Sequence, residues 1–168
     1  MKKIVIFWNA GSWKSTFAVK LSEKLWIQAY HLDKELLREH RTRVDAPKEL
    51  AIIQKIIDQP TRIVEGNYTV SFEQRVLAAD TIIYLDIPRV RCIRNVFVRL
   101  IKYKYFHIDR PDIWVNKETH IDFGFYKRIW DFPRVRGSKL FPILEKHNKK
   151  AIWLHSHREA NAFIDQMR

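Results

Sequence analysis

The chain has 168 residues, the length of a single domain, and its 46% hydrophobic and 30% charged residues exclude a disordered tail or a fibre. Lysine and arginine outnumber the acids 31 to 19, a net charge of +12 that favours phosphates, nucleotides, nucleic acid or acidic lipid as partners. One cysteine, Cys92, excludes an intramolecular disulfide and suits a reducing compartment.

The apolar run at 4–8 is too short for a secretory leader, and no segment approaches the roughly 20 residues that span a bilayer. A cytoplasmic protein of one domain, residues 1–168, is the expectation. Two counts stand out. Glycine occurs 4 times and tryptophan 6, where average usage would give roughly 12 glycines.

Short apolar runs at 3–7, 28–32, 62–65, 81–86 and 151–155 read as parallel strands covered on both faces. Between and after them, 14–25, 33–40, 47–58, 88–104, 121–131, 138–147 and 157–167 read as helices. This alternation predicts an α/β doubly wound sheet, whose ligands sit beyond the carboxyl ends of the strands.

The first strand runs into Trp8, Asn9, Ala10, Gly11, Ser12, Trp13, Lys14, Ser15 and Thr16, and then a helix. The phosphate-loop pattern is G-x-x-x-x-G-K-[ST] between a strand and a helix. Everything is present except the two defining glycines, replaced by Trp8 and Trp13. Such a loop wraps backbone N–H groups around a phosphate at a helix N-terminus, and a Cβ at either glycine hinders that approach. Asn9 to Thr16 are therefore candidate nucleotide-binding residues, with Trp8 and Trp13 expected to block the site. Trp26 also stands where a helix-ending glycine is natural.

These residues resemble the adenylate-kinase-like P-loop kinases, above all the adenylate-kinase-related or DNA topology modulation (FlaR-type) proteins. The resemblance covers nearly the whole chain. It continues through Tyr30 to Asp33, Glu65 to Tyr68, Ala79 to Arg89 and Arg110 to Asp112. It implies a P-loop nucleoside-triphosphate-hydrolase fold: a five-stranded parallel sheet, flanking helices and a helical lid over about 89–137. It also implies ATP and Mg²⁺ as cofactors and phosphoryl transfer to a small nucleotide-like or hydroxylated acceptor.

On this pattern Lys14 bridges the β- and γ-phosphates and the Ser15 hydroxyl ligates Mg²⁺. Glu65, ending the third strand, reaches the metal through water, and Asp86 stands beside the lid hinge. Asp33 holds or deprotonates an acceptor hydroxyl, or else caps the following helix. Arg38 and Arg75 serve the acceptor side.

Residues 89–110 carry seven cations and one acid, Asp109. Arg91, Arg94, Arg99 and Lys102 share one helical face, opposite Ile93, Val96, Phe97, Leu100 and Ile101. Three readings fit this face: arginines of a lid closing on ATP (Arg91 on the nucleotide, Arg94 and Arg99 catalytic), a solvated helix, or a nucleic-acid surface on helix 89–104. Aromatics between Trp114 and Phe132 fit helix core or base stacking, and Cys92 falls on the apolar side.

Overall fold

In the computed structural model, residues 1–37, 42–106 and 123–167 are described. Arg38 and the resemblance-bearing segment Arg110 to Asp112 lie outside them. The elements are β1 (Lys3–Phe7), α1 (Lys14–Leu25), β2 (Ala29–His31), α2 (Leu32–Leu36), α3 (Ala46–Ile57), β3 (Arg62–Glu65), α4 (Phe72–Leu77), β4 (Thr81–Leu85), α5 (Arg89–Phe106), α6 (Phe123–Lys146), β5 (Ala151–Leu154) and α7 (His157–Asp165). No described helix is long and apolar enough to cross a membrane.

The five strands pair in parallel in the order β2-β3-β1-β4-β5. Ile4 to Phe7 are all buried, as consecutive apolar positions in a doubly covered strand require. Because β1 lies between β3 and β4, the chain leaves β1 where the order reverses, and a crevice opens there. The loop after β1 is thus central. Asp33, after β2, and His157, after β5, lie towards the two edges.

Four boundaries depart from the sequence expectation. The short helix α4 follows β3 without a periodic signal, since six residues complete fewer than two turns. α2 ends at Leu36, where Leu37 bridges to Arg43 as an isolated antiparallel pair instead of continuing the helix. β2 is three residues long. The two helices expected at 121–131 and 138–147 are one helix, α6, with Pro133 and Pro142 inside it.

Pro133 explains how the helix survives a residue that should end it. A helical proline leaves the carbonyl four residues earlier without its donor. That carbonyl belongs to Ile129, and Asn9 Nδ2 in the loop after β1 donates to it at 2.7 Å. The orphan is satisfied from outside the helix. Ile129, Leu140 and Leu144 then bury one side of α6 in the core.

α1 closes on Trp26 in the left-handed region, with Ile27 N–H donating to Ser22 O at 3.2 Å, a Schellman-type end. The position expected to suit glycine has that backbone, and Trp26 is 94% exposed.

Candidate functional site

A cleft of about 880 Å³ opens over the carboxyl ends of the strands. Its floor is the loop after β1 and the first turn of α1. Asp33 and Leu37 stand at one side, Arg94, Asn95, Arg99 and Lys102 of α5 and Phe125 and Arg128 of α6 form a wall, and His157 closes the other side. Lys14, Arg94, Arg99, Lys102 and Arg128 set five cations against the single carboxylate of Asp33 among the described lining residues. Such a field concentrates anions.

At the floor, four side chains from three elements meet. Lys14 Nζ lies 3.2 Å from Glu65 Oε2. Ser15 Oγ donates to Glu65 Oε1 at 2.9 Å, and His31 Nδ1 meets the same oxygen at 2.9 Å. The pairing of β3 with both β1 and β2 accounts for this: His31 faces Glu65 in register, and β1 delivers Lys14 and Ser15. Burial pushes the Glu65 carboxyl up, but Lys14, His31 and Ser15 outweigh it and hold the pKa at about 2.

Glu65 Oε2 is buried and receives no directed hydrogen bond, although Lys14 lies close by. The buried Glu65 carboxylate, whose Oε2 has only the Lys14 ammonium beside it, and the Ser15 hydroxyl are hard oxygens, and this donor set suits Mg²⁺. The first turn of α1 adds N–H groups without partners inside the helix, the usual place for a phosphate.

The Glu65 to Tyr68 segment supports three places at once. Glu65 joins the floor, while Asn67 exchanges hydrogen bonds with the backbone of Trp8, donating to its carbonyl and accepting from its N–H at 3.3 Å. Tyr68 O–H donates to Asp33 Oδ1 at 2.9 Å, and burial raises the phenol pKa, with Asp33 adding to the effect. Asp33 sits inside the first turn of α2, where His31 holds the capping position, so the helix-capping reading of Asp33 does not apply.

The loop residues differ in what they offer. Asn9, Ala10, Gly11, Trp13, Lys14, Ser15 and Thr16 line the cleft. Ser12 is buried, its hydroxyl donating to Asn9 O at 2.8 Å, so its side chain closes the loop on itself. Gly11, at φ 78°, has to be glycine: a Cβ there would lie 2.2 Å from Cys92 O of α5. Asn95 Nδ2 donates to Gly11 O at 2.8 Å, so α5 packs directly on the loop. Cys92 is buried at this contact.

Two expectations are corrected. Trp8 does not obstruct the cleft: its indole is buried against Tyr84 and Phe132, and its N–H donates to Ile87 O at 3.1 Å. Its backbone lies at φ 145°, which turns the side chain into the core. Arg75 is fully buried, its guanidinium donating to the carbonyls of Ser71, Gly66 and Tyr68 at 3.3, 2.8 and 2.7 Å. An acceptor cannot reach it. Burial pulls its pKa down to about 9, with Glu49 and Glu65 opposing.

Arg94 and Arg99 reach the cleft, whereas Arg91 stands exposed on the first turn of α5 outside its lining. The charge of Arg91 reaches His157, whose pKa is lowered first by burial and then by this arginine. Phe97, placed on the apolar face by the helical wheel, is 53% exposed. Asp86, at the end of β4, pairs with His155 at 3.1 Å. Sequence reasoning missed Asn67, Asn95 and Arg128; for Asn67 the signal was its place two residues after Glu65.

No family model matches the chain, and no curated protein matches it either. Among solved structures it is similar to a shikimate kinase from Acinetobacter baumannii in complex with shikimate. The likeness has a TM-score of 0.66 at 11% identity, covering 99% of this chain and 90% of that one. The likeness shows the fold: a five-stranded parallel sheet flanked by helices.

Proposed function

We propose that this P-loop fold transfers the γ-phosphoryl group of ATP, with Mg²⁺, to a small hydroxylated or nucleotide-like acceptor. One observation carries the reading: Lys14, Ser15 and Glu65 meet at the floor of a cleft whose wall is cationic. The likeness to a kinase bound to shikimate supports a small acceptor.

In this reading the phosphates lie along the first turn of α1. Lys14 leaves Glu65 for the β- and γ-phosphates. Ser15 and Glu65 are the residues that would hold Mg²⁺, and the ion would neutralise charge on the phosphate oxygens. Arg94 and Arg99 face the phosphates from α5 and steady the charge of the transferring group. At the β2 side Asp33 receives the acceptor hydroxyl, oriented by Tyr68. Arg38 is the proposed acceptor cation from outside the described residues.

With Trp8 in the core, the impairment falls on Trp13, which holds φ 74° and lines the floor of the cleft. Nucleic-acid binding through helix 89–104 gains no support, because Arg94, Arg99 and Lys102 line the cleft.

The test is a calorimetric titration with Mg-ATP. Lys14→Ala is expected to abolish binding, and Trp13→Gly to tighten it by about tenfold or more. Affinity unchanged by Lys14→Ala would sink the reading.

A further inference from the structure

Among the described residues, four other than glycine hold a positive φ: Trp8 at 145°, Trp13 at 74°, Trp26 at 56° and Asn148 at 48°. Asparagine is a regular occupant of that region, but a bulky side chain there is an outlier. That all three outliers are tryptophan demands a common cause. Trp130 and Trp153, the other described tryptophans, have ordinary backbones, and Trp114 lies outside the described residues.

Packing does not supply that cause. Trp8 is 3% exposed and finds core partners. Trp13 is half-buried between the His157 ring, 5.1 Å away, and Lys20 Nζ, 4.7 Å away. Trp26 is 94% exposed, so almost nothing compensates its strained backbone. The three environments share only a backbone that glycine adopts freely. Two of the sites flank the phosphate loop at the G-x-x-x-x-G-K-[ST] glycine positions, and the third ends α1 where glycine is favoured.

Glycine and tryptophan are joined by one codon. UGA is one base from the tryptophan codon UGG and one base from the glycine codon GGA, and its meaning differs between genetic codes. We propose that positions 8, 13 and 26 are encoded by UGA and that the cell of origin inserts glycine there. The working protein then carries a complete glycine-bounded phosphate loop over 8–16, a binding site for a nucleotide or inorganic polyphosphate chain, and a glycine end to α1. The same reading raises glycine from 4 to 7 in 168 residues and so accounts for part of its scarcity. The inference rests on backbone geometry and stands or falls independently of the kinase reading.

The deciding experiment is peptide sequencing by mass spectrometry of the protein isolated from its own cells, alongside the codons of its gene. The expected result is UGA at 8, 13 and 26, with each residue lighter than tryptophan by an indolylmethyl group in exchange for hydrogen. UGG codons, or tryptophan in those native peptides, overturn the proposal. A second measurement needs no source cell. In the purified chain Trp26→Gly removes no core contact, and its thermal midpoint is expected to rise by roughly 2–6 °C. An unchanged or lowered midpoint overturns the strain argument on which the proposal stands.

Discussion

Two buried charges flank the end of β3, and they are neutralised in opposite ways. Glu65 is held by side chains alone: Lys14, Ser15 and His31. Arg75 is held by backbone carbonyls, those of Ser71, Gly66 and Tyr68. Side chains on rotatable stems can exchange a carboxylate for a ligand, whereas carbonyls fixed in the chain cannot. The first charge belongs to a site that can open, and the second to the frame that shapes it.

The comparison breaks most readily at Arg75. Arg75→Met removes hydrogen bonds to three carbonyls, leaves that of Gly66 without its donor, and takes a buried cation from beside Glu49 and Glu65, which keep only Arg43 and Lys14. It is expected to cost about 3–5 kcal/mol in urea unfolding. A loss below about 1 kcal/mol would show the guanidinium to be dispensable to the frame.

Glu65 comes next and brings a pH dependence. Its folded pKa of about 2 lies below its ordinary value of 4.5. Its stabilisation is therefore fully present above pH ~4.5 and lost as pH falls towards 2, amounting to about 3 kcal/mol at neutral pH. Glu65→Gln is expected to flatten the stability–pH curve across that window. A curve as steep as that of the unaltered chain would place the acid sensitivity elsewhere.

A double-mutant cycle sharpens the contrast at the loop. Asn9→Ala is expected to cost about 1–2 kcal/mol because it strips the Ile129 carbonyl of its donor. In a Pro133→Ala background, where the helix supplies its own N–H, the same change should cost markedly less. Equal costs in both backgrounds would refute the link between the two residues. The smallest effect is expected from Tyr68→Phe, under about 1 kcal/mol of stability, since its bond to Asp33 is exposed. A larger loss would move Asp33 from the cleft to the frame.

The strands and the sheet class were legible because buried parallel strands are apolar at consecutive positions. The loop around Lys14 was legible from its spacing together with its place between a strand and a helix. Arg75 was not: a cation near a site reads as a ligand contact until its carbonyl partners are seen, and these lie in the Gly66 to Ser71 loop. Trp8 misled for a related reason, since a sequence names the residue but not the φ that turns it inward. The continuity of α6 was hidden because Pro133 normally ends a helix, and its relief comes from Asn9, 124 positions earlier.

The bond from Asn9 to Ile129 makes α6 a mechanical anchor for the nucleotide end of the molecule. A tilt or slide of that helix must either carry the start of the phosphate loop with it or break a buried bond, at about 1–3 kcal/mol. A proline that looks like damage to one element thus stiffens another, and the loop inherits the rigidity of a 24-residue helix.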